Sequence, residues 1–223
     1  MQQPVIFLDK DGTLVKDVPY NIDPARVALE AGVAAGLRML AKAGFRLVVV
    51  SNQAGVARGY FPETALTGVR EHLASLLRQA AGAHLEGFYY CPHHPEGKLP
   101  AYRQACTCRK PQPGMLLAAA EDLNIQLEQA WMVGDILNDV EAGKRAGCRT
   151  ILIDNGNETE WLPGPFRTPD FTAANFLEAA AIILTETKRA GQVQGYGGVM
   201  GGEPVLSRMR FQRGDQHAEY LDE

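Results

Sequence analysis

The sequence predicts an α/β fold, a parallel sheet flanked by helices. Two observations predict it. Short apolar runs alternate with longer stretches of helical spacing through most of the chain, the pattern of βαβ units. Three of those apolar runs also stop abruptly at polar residues: Asp9 and Asp11, Ser51-Asn52-Gln53, and Gly134-Asp135. In an open parallel sheet such ends lie along one edge, where ligands bind.

Taken in order, Val5–Leu8 reads as the first strand. Residues Val27–Ala43 have helical spacing at Val33, Leu37 and Leu40, with Gly44 as a C-cap. Leu47–Val50 is an apolar β-branched strand. Pro62–Ala81 reads as a helix, with Pro62 suited to its first turn. Phe88–Tyr90 is a short aromatic strand, Gly114–Leu123 a helix and Trp131–Val133 a strand. Ile136–Ala146 is helical, Thr150–Ile153 a strand, and Ala173–Lys188 a closing helix. The boundary then falls at residue 188, and 189–223 reads as a Gly-rich flexible extension. The segment Cys91–Pro113 carries five prolines and has neither period. A bare loop of that length is uncommon in a compact domain, so something must hold it.

Composition narrows the function. The chain has 223 residues, 46% of them hydrophobic, and a formal net charge of −4. That balance argues against nucleic-acid binding through bulk charge. No apolar run is long enough for a transmembrane helix. Pro4-Val5-Ile6-Phe7 has no basic segment before it, so a cytoplasmic chain without a signal peptide is expected. A monomer that binds neither nucleic acid nor membrane is expected.

The strand ends carry the chemistry. Asp-Gly is also a common turn pair, and each polar end taken singly could be a turn or helix cap. Together they suggest one pocket. Asp9, Asp11 and Asp135 are hard oxygen ligands suited to Mg²⁺. A cation there would offset their repulsion and attract a phosphate. Ser51 offers a hydroxyl, and Lys110 a point charge for a phosphoryl oxygen. Asp139 follows Asp135 by four residues.

Three of the four cysteines crowd the proline-rich segment: Cys91, Cys106 and Cys108. With His93 they make a Cys₃His set, a common structural zinc site. His94 is an alternative ligand to His93, and free thiols are the bland alternative. A closed four-ligand site would be structural, folding a segment too poor in apolar residues to fold itself. Cys148 reads as a small core residue.

At this point the residues resemble a known pattern. Asp9-Lys10-Asp11-Gly12-Thr13, Ser51, Lys110 and Gly134-Asp135 resemble the four motifs of the haloacid dehalogenase superfamily, in order, across about the first 150 residues. The resemblance implies a Rossmann-like fold and Mg²⁺-dependent phosphoryl transfer. It implies Asp9 as nucleophile through an aspartyl-phosphate and Asp11 as general acid and base. Mg²⁺ would be held by Asp9, the Asp11 carbonyl and Asp135, while Ser51 and Lys110 would stabilise the transferring charge.

The segments Cys91-Pro92-His93-His94-Pro95-Glu96-Gly97 and Cys106-Thr107-Cys108-Arg109-Lys110-Pro111 narrow the resemblance. With Ser51–Phe61 they are similar to the heptose-1,7-bisphosphate 7-phosphatase family, whose members have no large cap domain. That resemblance implies a small phosphorylated sugar as partner and removal of its 7-phosphate in ADP- or GDP-heptose biosynthesis, feeding lipopolysaccharide or another heptosylated product. Arg109 would recognise the phosphate that stays, and Asn52, Gln53, Asp17 and Tyr20 would line the sugar site. One departure is Ile136, where such relatives often carry a substrate-binding lysine. The alternatives are histidinol-phosphate phosphatase, whose zinc loop is typically shorter, and, outside enzymes, a zinc-ribbon binding module.

Overall fold

The computed structural model describes residues 3–191 and 211–213. Seven strands form one sheet: β1 (Val5–Leu8), β2 (Arg46–Asn52), β3 (Leu85–Cys91), β4 (Trp131–Gly134), β5 (Arg149–Ile153), β6 (Phe171–Ala173) and β7 (Phe211–Arg213). Their order is β6-β5-β4-β1-β2-β3-β7, and every pairing is parallel. Five helices connect and cover them: α1 (Val33–Lys42), α2 (Ala65–Ala81), α3 (Gly114–Leu123), α4 (Leu137–Ala146) and α5 (Phe176–Arg189). The α/β fold class expected from the sequence is therefore the observed one. No separate cap domain interrupts the connections among the described residues.

The strands are apolar on both faces because both faces are covered, as in other parallel sheets. In β1, Ile6 and Leu8 enter one core with Leu37 of α1, Leu73 of α2 and Ile183 of α5. Val5 and Phe7 enter the other, with Met115 and Leu116 of α3 and Ala142 of α4. Successive side chains point to opposite faces, so one strand feeds two cores.

The sheet positions the site through its register. Leu8 pairs with Val49 of β2 on one side and with Val133 of β4 on the other. The next residues, Asp9, Val50-Ser51 and Gly134-Asp135, therefore come out side by side. Here the chain winds one way from β1 to β2 and the other way to β4. That reversal is where open α/β sheets form their ligand crevice.

Four elements depart from expectation, the simplest being α2, which starts at Ala65 after two linking turns and leaves Pro62 outside its first turn. The predicted helix over Val27–Ala43 begins only at Val33. Val15 bridges both Asp11 and Leu29, so the chain after β1 makes a small flap instead of an early helical turn. Gly32, at φ +82°, then redirects the backbone into α1. The predicted Ala173–Lys188 helix starts at Phe176, because Ala173 belongs to β6, a three-residue edge strand with too little pattern to detect. The extension expected from 189 onward lies outside the described residues except for 189–191 and strand β7, which pairs with β3.

Candidate active site

The site grows from the β1 end. Asp9 follows the last strand residue and is 8% exposed. Lys110 is fully enclosed and reaches it from the proline-rich segment. Its Nζ contacts the Asp9 carboxylate, lies 2.7 Å from Asp139 Oδ1, and donates to the Val50 carbonyl at 2.9 Å. Asp9, Asp135 and Asp139 bring carboxylate oxygens within 4.8 Å of one another. Asp139 thus belongs to the cluster itself, as the counter-charge of Lys110.

The electrostatics show a site short of positive charge. Burial pushes Asp9 well above the ordinary carboxylate range, and Asp139, Asp135 and Asp11 add to the push against Lys110. Asp135 is pushed up to about 6, by burial first and then by Asp139. Burial alone would depress Lys110, but Asp139 and Asp9 outweigh it and hold the ammonium above its usual range. Three buried carboxylates against one ammonium leave a net negative pocket of hard oxygens, which fits a divalent cation such as Mg²⁺.

The other sequence-predicted residues take distinct places. Asp11 is half-buried, touches Lys10 and accepts from Gln53 Nε2 at 3.4 Å. Gln53 also donates to Ser51 Oγ at 2.8 Å, so it links the hydroxyl to the second aspartate. Asn52 is committed elsewhere: its amide donates to the Lys110 carbonyl at 3.1 Å and accepts the Lys110 N–H at 3.0 Å. It clamps the backbone that carries the site lysine. Tyr20, 47% exposed at φ +55°, packs edge-on against Tyr60 at 4.6 Å. Asp17 is exposed in the same loop, its pKa raised by slight burial and by Asp11.

Arg109 lies beside His94. Burial, then Arg109 and Arg58, disfavour the imidazolium of His94. Nη1 of Arg109 and Nε of Arg58 are both buried without a hydrogen-bond partner, an arrangement that favours an anion.

Asn155 and Asn157 were missed. Asn157 Nδ2 donates to Asp135 Oδ2 at 2.8 Å, and Asn155 Nδ2 to the Gly12 carbonyl at 2.9 Å. The available signal was a fourth polar strand end, Asp154-Asn155-Gly156-Asn157, directly after β5.

The proline-rich segment closes on its own cluster. Sulfurs of Cys91, Cys106 and Cys108 lie 3.0–3.5 Å apart, and His93 Nδ1 lies 3.4 Å from Cys108 Sγ. All four donors fall within 4.8 Å. His94 faces Arg58 and the Glu96 N–H instead, so His93 is the histidine of the set. Three thiols this close cannot all ionise unaided. Hydrogen bonding to Cys106 pushes Cys91 up to about 12, while donation from Cys108 and Cys91 pulls Cys106 down to about 2. A soft cation resolves that conflict, and the sulfurs, set inside the ~3.8 Å edge of a zinc–thiolate tetrahedron, already converge on one point.

The comparisons bear on this geometry. A family model described as HAD-hydrolase-like matches residues 107–179. The D-glycero-beta-D-manno-heptose-1,7-bisphosphate 7-phosphatase of Escherichia coli K12 is 44% identical over 168 residues, covering 71% of this chain and 87% of the relative. The chain belongs to the HAD-like phosphatases. As such it is a phosphoric monoester hydrolase. The Pasteurella multocida enzyme of the same name is 45% identical over 152 residues, 68% of this chain and 82% of that one. Among solved HAD structures, D,D-heptose 1,7-bisphosphate phosphatase from B. bronchiseptica, complexed with magnesium and phosphate, aligns at TM-score 0.67 and 27% identity. The alignment covers 82% of this chain and 99% of that one. A HAD-like phosphatase from Mesorhizobium loti aligns at TM-score 0.69 and 34% identity, covering 82% and 87%.

Proposed function

We propose that the chain removes the 7-phosphate of D-glycero-D-manno-heptose 1,7-bisphosphate in nucleotide-activated heptose synthesis, as a cytoplasmic enzyme. The observation that carries this is Lys110 held between Asp9 and Asp139 beside Asp135, in a chain 44% identical to an enzyme of that name.

In this reading an Asp9 carboxylate oxygen attacks phosphorus. The P–O bond to the sugar breaks, and Asp11 protonates the departing alkoxide. Asp11, now anionic, takes a proton from water as that water attacks the aspartyl-phosphate. Inorganic phosphate leaves, and Asp9 is restored. Lys110 and Ser51 hold the phosphoryl oxygens throughout. Asp9, the Asp11 carbonyl and Asp135 would hold Mg²⁺, which when bound supplies positive charge to the phosphoryl group. Cys91, His93, Cys106 and Cys108 would hold structural zinc, and the Asn52 clamp passes that order on to Lys110.

Arg109 and Arg58 form the anion site for the phosphate that stays. Ile136 offers it no further charge. Asp17, Tyr20 and Gln53 face the sugar.

A substrate panel with Mg²⁺ tests the reading, comparing both anomers of the heptose bisphosphate with histidinol phosphate. A heptose ester should win by about 100-fold or more in kcat/KM, because a second phosphate and several hydroxyls separate the two substrates. Preference for histidinol phosphate overturns the assignment.

A further inference from the structure

The reaction as described uses the ends of β1, β2 and β4. The end of β5, next to β4, carries a polar run that the reaction leaves without a task. Its loop turns back over the site. Asn155 Oδ1 accepts the Asn157 N–H at 3.2 Å, which ties the loop to itself. From that brace Asn155 Nδ2 reaches the Gly12 carbonyl, and Asn157 Nδ2 reaches Asp135 Oδ2. Glu158, next in sequence, accepts the Leu137 N–H at 2.6 Å, at the first turn of α4.

We infer that Asn157 is a positioning residue for the Asp135 carboxylate, fixing it for the divalent cation. Asp135 has two oxygens and two side-chain donors. Thr13 Oγ1 holds Oδ1 at 2.9 Å from the nucleophile loop, and Asn157 holds Oδ2 from the opposite side. A carboxylate gripped at both oxygens has one orientation, with a lone pair left on each oxygen. The third side is closed by backbone. A Cβ on Gly12 would lie 2.1 Å from Asp135 Oδ2 and 2.5 Å from Asn157 Nδ2. No side chain at position 12 fits between the nucleophile loop and this pair. Outer groups that orient a metal ligand commonly change affinity by about 10- to 100-fold.

The inference rests on Mg²⁺ binding at this site but not on which ester is cleaved. The test is calorimetric titration of MgCl₂ into the zinc-loaded full chain without substrate. Asn157→Ala should weaken Mg²⁺ about 10-fold, and Asn155→Ala about 3-fold, since its amide acts on Gly12 and not on the carboxylate. The Mg²⁺ concentration for half-maximal turnover should rise in step with each binding constant. Melting temperature without Mg²⁺ is the control for a merely structural role. A lower melting temperature with Mg²⁺ affinity within about two-fold of the parent overturns the inference alone. A parent chain that binds no Mg²⁺ overturns it together with the metal assignment above. A different ester preference would overturn the heptose reading and leave this result standing.

Discussion

The carboxylate cluster and the thiol cluster lie on one chain but are assembled in opposite ways. The thiol set spans Cys91 to Cys108, a single segment that doubles back on itself. The carboxylate set draws Asp9 from the end of β1, Asp135 and Asp139 from the end of β4 and the first turn of α4 more than a hundred residues later, and its lysine from the thiol segment. One offers soft donors in a closed set of four, the other three buried hard donors around a single lysine. The difference teaches how labour is divided. A closed set of four soft donors suits a structural ion, whereas three hard donors leave coordination positions for other ligands. The two are mechanically joined, because Lys110 follows Cys108 by two residues and Asn52 fixes its backbone.

The sharpest way to break the comparison is to remove the nucleophile. Asp9→Asn should cut turnover by about 10⁴-fold or more while circular dichroism stays native. Residual turnover near that of the parent would move the nucleophile elsewhere.

The next tests the thiol set. Elemental analysis should find about one zinc per chain, and Cys108→Ser should lose it and melt about 5–10 °C lower. Turnover should fall as well, since the loop carrying Lys110 would loosen. A zinc-free variant with parental turnover would uncouple the two centres.

Asn52→Ala probes the joint between them. Two backbone hydrogen bonds at about 1 kcal/mol each correspond to about a 30-fold loss in kcat, with KM little changed. A loss confined to KM would instead make Asn52 a substrate contact, as the family resemblance implied.

The mildest change serves as a control far from both centres. Asp170 accepts from Lys144 Nζ at 2.5 Å and from the Thr150 N–H at 2.7 Å. Burial raises its pKa, but those partners outweigh it and leave the carboxyl below its usual 3.8. A depressed folded pKa means the stabilisation is complete above the usual value and fades as pH falls below it. Asp170→Asn should therefore melt about 2–4 °C lower at pH 7 and match the parent in strong acid, with turnover and both metals unaffected. An equal deficit at low pH would show that packing, not charge, is lost.

Much of this was legible without coordinates, for reasons particular residues make plain. Val5–Leu8 declares a strand because both faces are buried and every position must be apolar. Cys91, His93, Cys106 and Cys108 declare a cluster because the donors are close in sequence and few other roles suit them. The Asn52 clamp was hidden because nothing local distinguishes it from its neighbours Ser51 and Gln53, whose side chains join Asp11 instead of Lys110. The late start of α1 was hidden because Leu29 keeps an apolar period while actually bridging Val15 across the flap.

By itself the sequence determined which residue types were available and in what order: two acids after the first strand, a hydroxyl after the second, a lysine after the thiol loop, an acid after the fourth. It also determined the alternation that makes a parallel sheet, because hydrophobic periodicity is local. Only the tertiary structure decided that Asp139 pairs with Lys110, that Asn52 clamps the Lys110 backbone, and that Asn157 reaches Asp135 from the end of β5. Those choices depend on strand order and register, which bring together groups that no local pattern can connect.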